Sequence, residues 1–138
     1  MKKLFVFLFS LILSVVFSTS ASAVKIDGIY YNINFSNETA EVTSDEEKYS
    51  GEVVIPSSIT VGGKEYNVTS IGNIAFCDCR LLTSVTIPNS VNTIGDYAFG
   101  WCPSLEIITV ESGNSTFDSR NGCNAIIESA TNTLITGC

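Results

Sequence analysis

VTSIGNIAFCDCRLLTSVTIPNS at residues 68–90 is followed directly by VNTIGDYAFGWCPSLEIITVESGN at residues 91–114. Set 23 residues apart, Val68 falls on Val91, Ile71 on Ile94 and Gly72 on Gly95. Ala75-Phe76 falls on Ala98-Phe99, Cys79 on Cys102, Leu82 on Leu105 and Thr86 on Thr109. A fixed period with its apolar residues held in phase is the signature of stacked repeats, each of which buries its apolar face only against its neighbours.

Each repeat divides into parts. Val85 and Ile87 alternate with Ser84 and Thr86, a half-buried strand, and Pro88 ends it. Gly72 and Gly95 mark a turn that calls for a positive φ. Asn73 and Asp96 follow as N-caps, so Ile74-Ala75-Phe76 and Tyr97-Ala98-Phe99 are expected to form one short helical turn each. The core expected from this phasing is Ile71, Ala75, Phe76, Leu82, Val85 and Ile87, stacked on Ile94, Ala98, Phe99, Leu105, Ile108 and Val110.

Working outward, Val53-Val54-Ile55-Pro56 matches Val85-Thr86-Ile87-Pro88 and reads as a partial earlier rung. Ile59-Thr60-Val61 and Glu65-Tyr66-Asn67-Val68 flank Gly62-Gly63, an inserted hairpin. Ile29 to Phe35 and Thr39 to Thr43 read as two strands around the turn Ser36-Asn37-Glu38. Beyond Phe117 the 23-residue register breaks. There Asn124 to Glu128 and Thr133 to Thr136 form another hairpin around Ser129-Ala130-Thr131-Asn132.

The N-terminus has the form of a secretory signal peptide. Lys2 and Lys3 precede an apolar stretch from Leu4 to Phe17, and Ala21-Ser22-Ala23 is a small-x-small cleavage site. The stretch is short for a bilayer span, and no cysteine follows it closely, which argues against a lipid anchor. The expected organisation is a signal peptide over 1–23, a β-rich N-terminal cap with a partial rung over 24–67, and repeats with a variant C-terminal rung over 68–138. Export implies a secreted or cell-surface protein with no membrane insertion after cleavage.

The chain carries 7 basic and 14 acidic residues, a net charge of −7, and cleavage would remove Lys2 and Lys3 as well. Such a chain repels nucleic acid and anionic membranes. It contains no histidine, which removes Cys–His and Ser–His nucleophilic catalysis and the commonest metal ligand. No carboxylate pair or glycine-rich phosphate loop falls in a catalytic pattern, so no enzyme activity, metal or cofactor is expected.

Five cysteines in an exported chain invite a disulfide framework. Cys79 and Cys102, however, hold equivalent repeat positions, and are expected to be a ladder of buried, unpaired thiols. Cys77-Asp78-Cys79 has only one intervening residue, against the two to four of a zinc site. Cys123 and Cys138 are a candidate disulfide, since a hairpin centred between Ala130 and Thr131 sets them opposite each other. Four N-x-S/T sequons lie at Asn34, Asn37, Asn67 and Asn114, read either as chance in a Ser/Thr/Asn-rich chain or as glycan acceptors.

The repeats resemble the BspA-type leucine-rich repeat family, bacterial surface and secreted proteins with units of the form IGxxAFxxCxxLxxVxIP. Here the unit stands as IGNIAFCDCRLLTSVTIP at residues 71–88 and returns as IGDYAFGWCPSLEIITVE at residues 94–111, with Glu111 where the first has Pro88. The tail FDSRNGCNAIIESATNTLITGC resembles a variant rung. The resemblance implies a mainly β fold with short helical turns, a leucine-rich-repeat solenoid of about three rungs with a β-hairpin N-terminal cap. It also implies adhesion or binding to extracellular or host proteins, without catalysis. The alternative role is a structural cap or stem of a longer repeat protein truncated after residue 138.

Tyr97 and Trp101 are the candidate partner contacts. They align with Ile74 and Asp78, so Trp101 is not at a core position, and exposed rigid aromatics dominate binding energy. The competing placement packs Trp101 over the tail segment. An unpaired strand edge in the 124–138 hairpin would also allow self-association through the C-terminal end.

Overall fold

A computed structural model describes residues 23–44 and 46–137. The signal peptide expected over residues 1–23 lies outside the described residues except for Ala23, and so does Cys138. In chain order the strands are β1 (Val24–Ile26), β2 (Ile29–Asn34), β3 (Thr39–Thr43), β4 (Ser50–Val54), β5 (Ser58–Val61) and β6 (Lys64–Ile71). They continue as β7 (Leu81–Ile87), β8 (Thr93–Ile94), β9 (Ile107–Val110), β10 (Phe117–Asp118), β11 (Ala125–Glu128) and β12 (Thr133–Gly137). Three sheets result: β1-β2-β3-β6-β5 with β8 also on β6, then β4-β7-β9, then β10-β11-β12.

The repeat is written into the second sheet. β4, β7 and β9 run parallel, with Val53 beside Val85 and Val85 beside Ile108. Along β7 and β9 inward residues alternate with outward ones, as the period of two in a pleated strand requires. The Gly62-Gly63 hairpin is the pair β5 and β6, inserted between β4 and the first full repeat. β3 continues the stacking on the other side, pairing parallel with β6, which pairs parallel with β8.

The helical turns expected at Ile74–Phe76 and Tyr97–Phe99 do not form. Among the described residues the only helical segment is a 3₁₀ turn at Arg120–Gly122. Residues 73–78 instead make successive tight turns, closed by Ala75 N to Gly72 O (3.3 Å), Cys77 N to Ile74 O (3.0 Å) and Cys79 N to Phe76 O (3.2 Å). The chain passes through left-handed backbone at Ile74 (φ 52°) and Asp78 (φ 60°), and again at Tyr97 (φ 52°) and Trp101 (φ 55°). A helix would close these amides within one repeat. Here they bond to the next: Ile74 N to Asp96 O (3.0 Å), Phe76 N to Ala98 O (2.7 Å) and Asp78 N to Gly100 O (2.8 Å).

Two further expectations change with it. Asn73 is not a helix cap, because its Oδ1 accepts the Asp96 amide of the following repeat at 2.9 Å. Gly72 and Gly95 are not among the residues with positive φ. Their glycine is needed for close approach. A Cβ on Gly95 would sit 2.4 Å from the Asn73 backbone nitrogen, and one on Gly72 would lie 3.0 Å from Glu41 Oε1.

The core runs through the stack as one cluster. Phe76 is fully buried, and its ring lies face to face with Phe99, centroids 5.0 Å apart and planes 4° apart. Tyr49 packs against it too, at 4.7 Å with the planes tilted 44°. Ile71, Ala75, Leu82, Val85 and Ile87 are buried beside it, as are Ala98, Leu105, Ile108 and Val110, while Ile94 is half-buried.

The tail hairpin closes the strand side of the second repeat. Ser119 Oγ accepts the Val110 amide at 2.9 Å. Asp118 is held by Arg120 at 2.6 Å and by the Ser129 hydroxyl at 2.6 Å. These bonds keep its carboxyl well below the usual range, Arg120 contributing most.

Two substitutions test this core from opposite directions. Phe76→Ala should cost about 3–5 kcal/mol, because it leaves a ring-sized cavity beside Tyr49 and Phe99. Tyr31 is fully buried and its hydroxyl has no hydrogen-bond partner among the described residues. Tyr31→Phe should therefore raise stability by about 1 kcal/mol, since the unsatisfied hydroxyl is removed at no loss of packing. Chemical denaturation of the two variants beside the parent measures both. A neutral Phe76→Ala, or a Tyr31→Phe that destabilises, would contradict the packing described.

Candidate functional site

The surface that stands out is the turn edge, not the strand face. The outward side of β4, β7 and β9 presents Glu52, Val54, Ser84, Thr86, Ile107 and Thr109, small and mostly neutral. On the turn edge, Tyr97 is 80% and Trp101 is 82% exposed. Both occupy left-handed backbone. An L-residue pays roughly 1–2 kcal/mol there, and glycine or asparagine is the stable choice. A bulky aromatic in that conformation, with its ring in solvent, adds nothing to the core, and strained residues of this kind collect at functional sites.

Their neighbours extend the patch. Ile74, the equivalent of Tyr97 one repeat earlier, is also exposed and at positive φ. A groove beside Trp101 is lined by Lys48, Ile74, Cys77, Arg80, Phe99 and Pro103. Lys48 Nζ donates to the Cys77 carbonyl at 3.1 Å, and Arg80 Nε to Asp78 Oδ1 at 2.8 Å. The Arg80 guanidinium lowers the Asp78 carboxyl. Two cations thus sit beside the aromatics of a molecule whose net charge is −7.

The structure places the predicted thiols as follows. Cys79 is buried. Cys102 is half-buried rather than buried, because it borders the groove, where its Sγ donates to the Phe76 carbonyl at 3.0 Å. Burial pushes both thiols up. Cys77 is half-buried and Cys123 exposed. Among the described residues no three His, Cys, Asp or Glu side chains gather in a way that could hold a metal ion.

The geometry behind the Cys123–Cys138 pairing is altered, and Cys138 itself lies outside the described residues. Glu128 faces Thr133 and Ile127 faces Leu134, the register that would set 123 against 138. A bulge between Ile126 and Ile127 then shifts it by one, and Ile126 faces Thr136.

Asn114 was legible only as a sequon. Its Nδ2 donates to the carbonyls of Pro88 (3.0 Å) and Val91 (2.8 Å), and its Oδ1 accepts the amides of Thr116 (2.9 Å) and Phe117 (2.8 Å). The side chain ties the end of the second repeat to the end of the first, and its amide nitrogen is fully engaged in doing so. The turn composition of Ser112-Gly113-Asn114 is the sequence signal that could have marked this bonding role.

A family model described as "BspA type Leucine rich repeat region (6 copies)" matches residues 52–134. Among solved structures, a leucine rich cell surface protein from Faecalibacterium prausnitzii A2-165 is 34% identical over 70% of this chain and 25% of that one, with a TM-score of 0.57. A leucine-rich repeat protein from Bacteroides capillosus is 38% identical over 65% of this chain and 66% of that one, TM-score 0.57. Another from Bacteroides ovatus is 38% identical over 65% and 24%, TM-score 0.59. The chain thus spans about a quarter of the length of two of these molecules and just under two thirds of the third. No curated protein sequence matches it.

The thiol environments set an order of reactivity, because the thiolate is the attacking form and burial suppresses it. Under native conditions, among the four described cysteines, Cys123 should alkylate first and Cys79 last, with Cys102 also slow. Timed quenching and peptide mass spectrometry give the order directly. Cys79 labelling as fast as Cys123, or a disulfide at Cys79 or Cys102, would contradict it.

Proposed function

Because the chain belongs to the BspA type leucine-rich repeat family, we propose that it is a non-catalytic protein-interaction module of the cell exterior, with Tyr97 and Trp101 as its contact surface. We read the stack as a leucine-rich-repeat solenoid of about three rungs, with β1, β2 and β3 as its N-terminal cap. The partner class is extracellular or host protein, and the role is adhesion.

One observation carries the reading. Two large aromatic rings are held in solvent at backbone positions where stability favours glycine. Rigid aromatics of this kind supply binding energy at little cost in side-chain entropy. The signal-peptide pattern of residues 1–23 and the cell-surface description of the Faecalibacterium relative support display outside the cell. The absence of histidine from the chain supports a non-catalytic role. The net negative charge favours neutral or basic protein patches over nucleic acid.

A patch this small gives modest affinity, which display in many copies multiplies. The test is capture of extracellular-matrix and serum proteins by a multivalent display of the chain, beside the same display of Trp101→Ala. Wild-type capture that falls at least about tenfold in folded Trp101→Ala is expected of an aromatic hot spot. No capture by the wild type would refute the adhesion role. Equal capture by the variant would move the contact surface elsewhere.

A further inference from the structure

We infer that a polar pocket on the first sheet, centred on Glu41, holds an arginine side chain of a basic partner protein. The inference rests on the interaction role proposed above and names the partner's chemistry.

Four carboxylates are half-buried among the described residues: Glu41, Asp78, Asp118 and Glu128. Asp78 is paired with Arg80 and Asp118 with Arg120. Glu128 accepts a close bond from the Thr131 hydroxyl. Glu41 has neither kind of partner. Its Oε1 lies 3.4 Å from Asn32 Nδ2 and its Oε2 lies 3.3 Å from Ser70 Oγ, two long bonds from neutral groups. No cation of the described residues is left for it. Lys25, Lys64, Arg80 and Arg120 pair with other carboxylates, and Lys48 donates to the Cys77 carbonyl. A partly buried charge without a counter-charge is unfavourable, and a cation brought to it is held more strongly than on open surface.

The strands build the site around this carboxylate. Asn32 on β2, Glu41 on β3 and Ser70 on β6 stand side by side. A one-residue bulge in β6 brings Ser70, not Thr69, beside Glu41, and bulges re-aim side chains in this way. Asn34 and Thr39 form the neighbouring row, and the five residues line a pocket of about 240 Å³. Each of the three strands is paired on both sides, so no open sheet edge is involved.

The donors and acceptors of the pocket select arginine. Besides the carboxylate it offers Asn32 Oδ1, which the Nδ2 contact leaves unused, and the hydroxyl oxygens of Ser70 and Thr39. A guanidinium presents its donors in a planar fork that meets a carboxylate bidentately, whereas an ammonium is a point charge. A metal ion is a poorer occupant, since hard cations gather many oxygen ligands. Among the described residues no three His, Cys, Asp or Glu side chains come together. A neutral sugar would leave the charge of Glu41 unanswered. The net charge of −7 draws basic partners to the molecule as a whole.

The test is an NMR titration of the full chain with the blocked peptide Gly-Arg-Gly, beside peptides with citrulline or lysine in place of arginine. Citrulline keeps the shape of arginine without its charge. Saturable shifts are expected at the Asn32 side-chain amide and at the Glu41 and Ser70 backbone amides, with a Kd on the order of millimolar. The citrulline peptide, and the arginine peptide on Glu41→Gln, should each bind at least ~10-fold more weakly, because a charged hydrogen bond is lost. The citrulline comparison uses the unaltered chain, so the outcome does not depend on the variant folding. Absence of saturable shifts, equal binding of the citrulline or lysine peptide, shifts that survive Glu41→Gln, or shifts confined to exposed carboxylates such as Asp96 and Glu106 overturn the pocket. Shifts at Asn32 and Ser70 caused by maltose and not by the peptide assign the site to carbohydrate and overturn it too. Arginine binding at Glu41 in a chain that captures no matrix or serum protein keeps the pocket and removes the adhesion role. Capture without arginine binding keeps the interaction role and removes the pocket.

Discussion

The closeness with which one repeat lies on the next is the constraint on which the rest depends. Gly95 has no room for a side chain, since a Cβ would stand 2.4 Å from the Asn73 nitrogen. That approach puts Asn73 Oδ1 on the Asp96 amide and lets three turn amides reach the carbonyls of the next repeat. It also lays Phe76 flat on Phe99. Hydrogen bonding and apolar burial are therefore satisfied by one spacing. A slip of either repeat would break the amide row and separate the rings together.

The strand half of this arrangement was legible in the chain. Val53, Val85 and Ile108 stand side by side because the alternation of apolar and polar residues admits only one buried face. The Gly62-Gly63 and Ser129–Asn132 turns lie where glycine and small polar residues placed them. The turn half was not. Asn73 after Gly72 has the form of a helix start, and nothing in Ile74, Tyr97 or Trp101 announces left-handed backbone, which β-branched and aromatic residues rarely adopt. The helix was excluded by bonds between repeats, and single-repeat reasoning does not contain them. The bulge between Ile126 and Ile127 and the four-way bonding of Asn114 are likewise set by tertiary contacts.

The candidate site was legible in part and for an informative reason. Tyr97 and Trp101 were marked by where they break the repeat, in place of Ile74 and Asp78. Their left-handed backbone could be seen only in the fold. The same left-handed turns that hold the rings outward also point alternate amides along the stack axis. A single backbone device thus both presents the aromatic rings and bonds one repeat to the next.

The most direct measurement is the unfolding free energy of Gly95→Ala beside Gly72→Ala. The methyl at 95 meets backbone of the neighbouring repeat, whereas the methyl at 72 first meets the movable end of the Glu41 side chain. If close stacking governs the fold, Gly95→Ala should lose about 3 kcal/mol and Gly72→Ala distinctly less, as rigid overpacking costs more than yielding contact. A Gly95→Ala protein as stable as the parent would contradict the account.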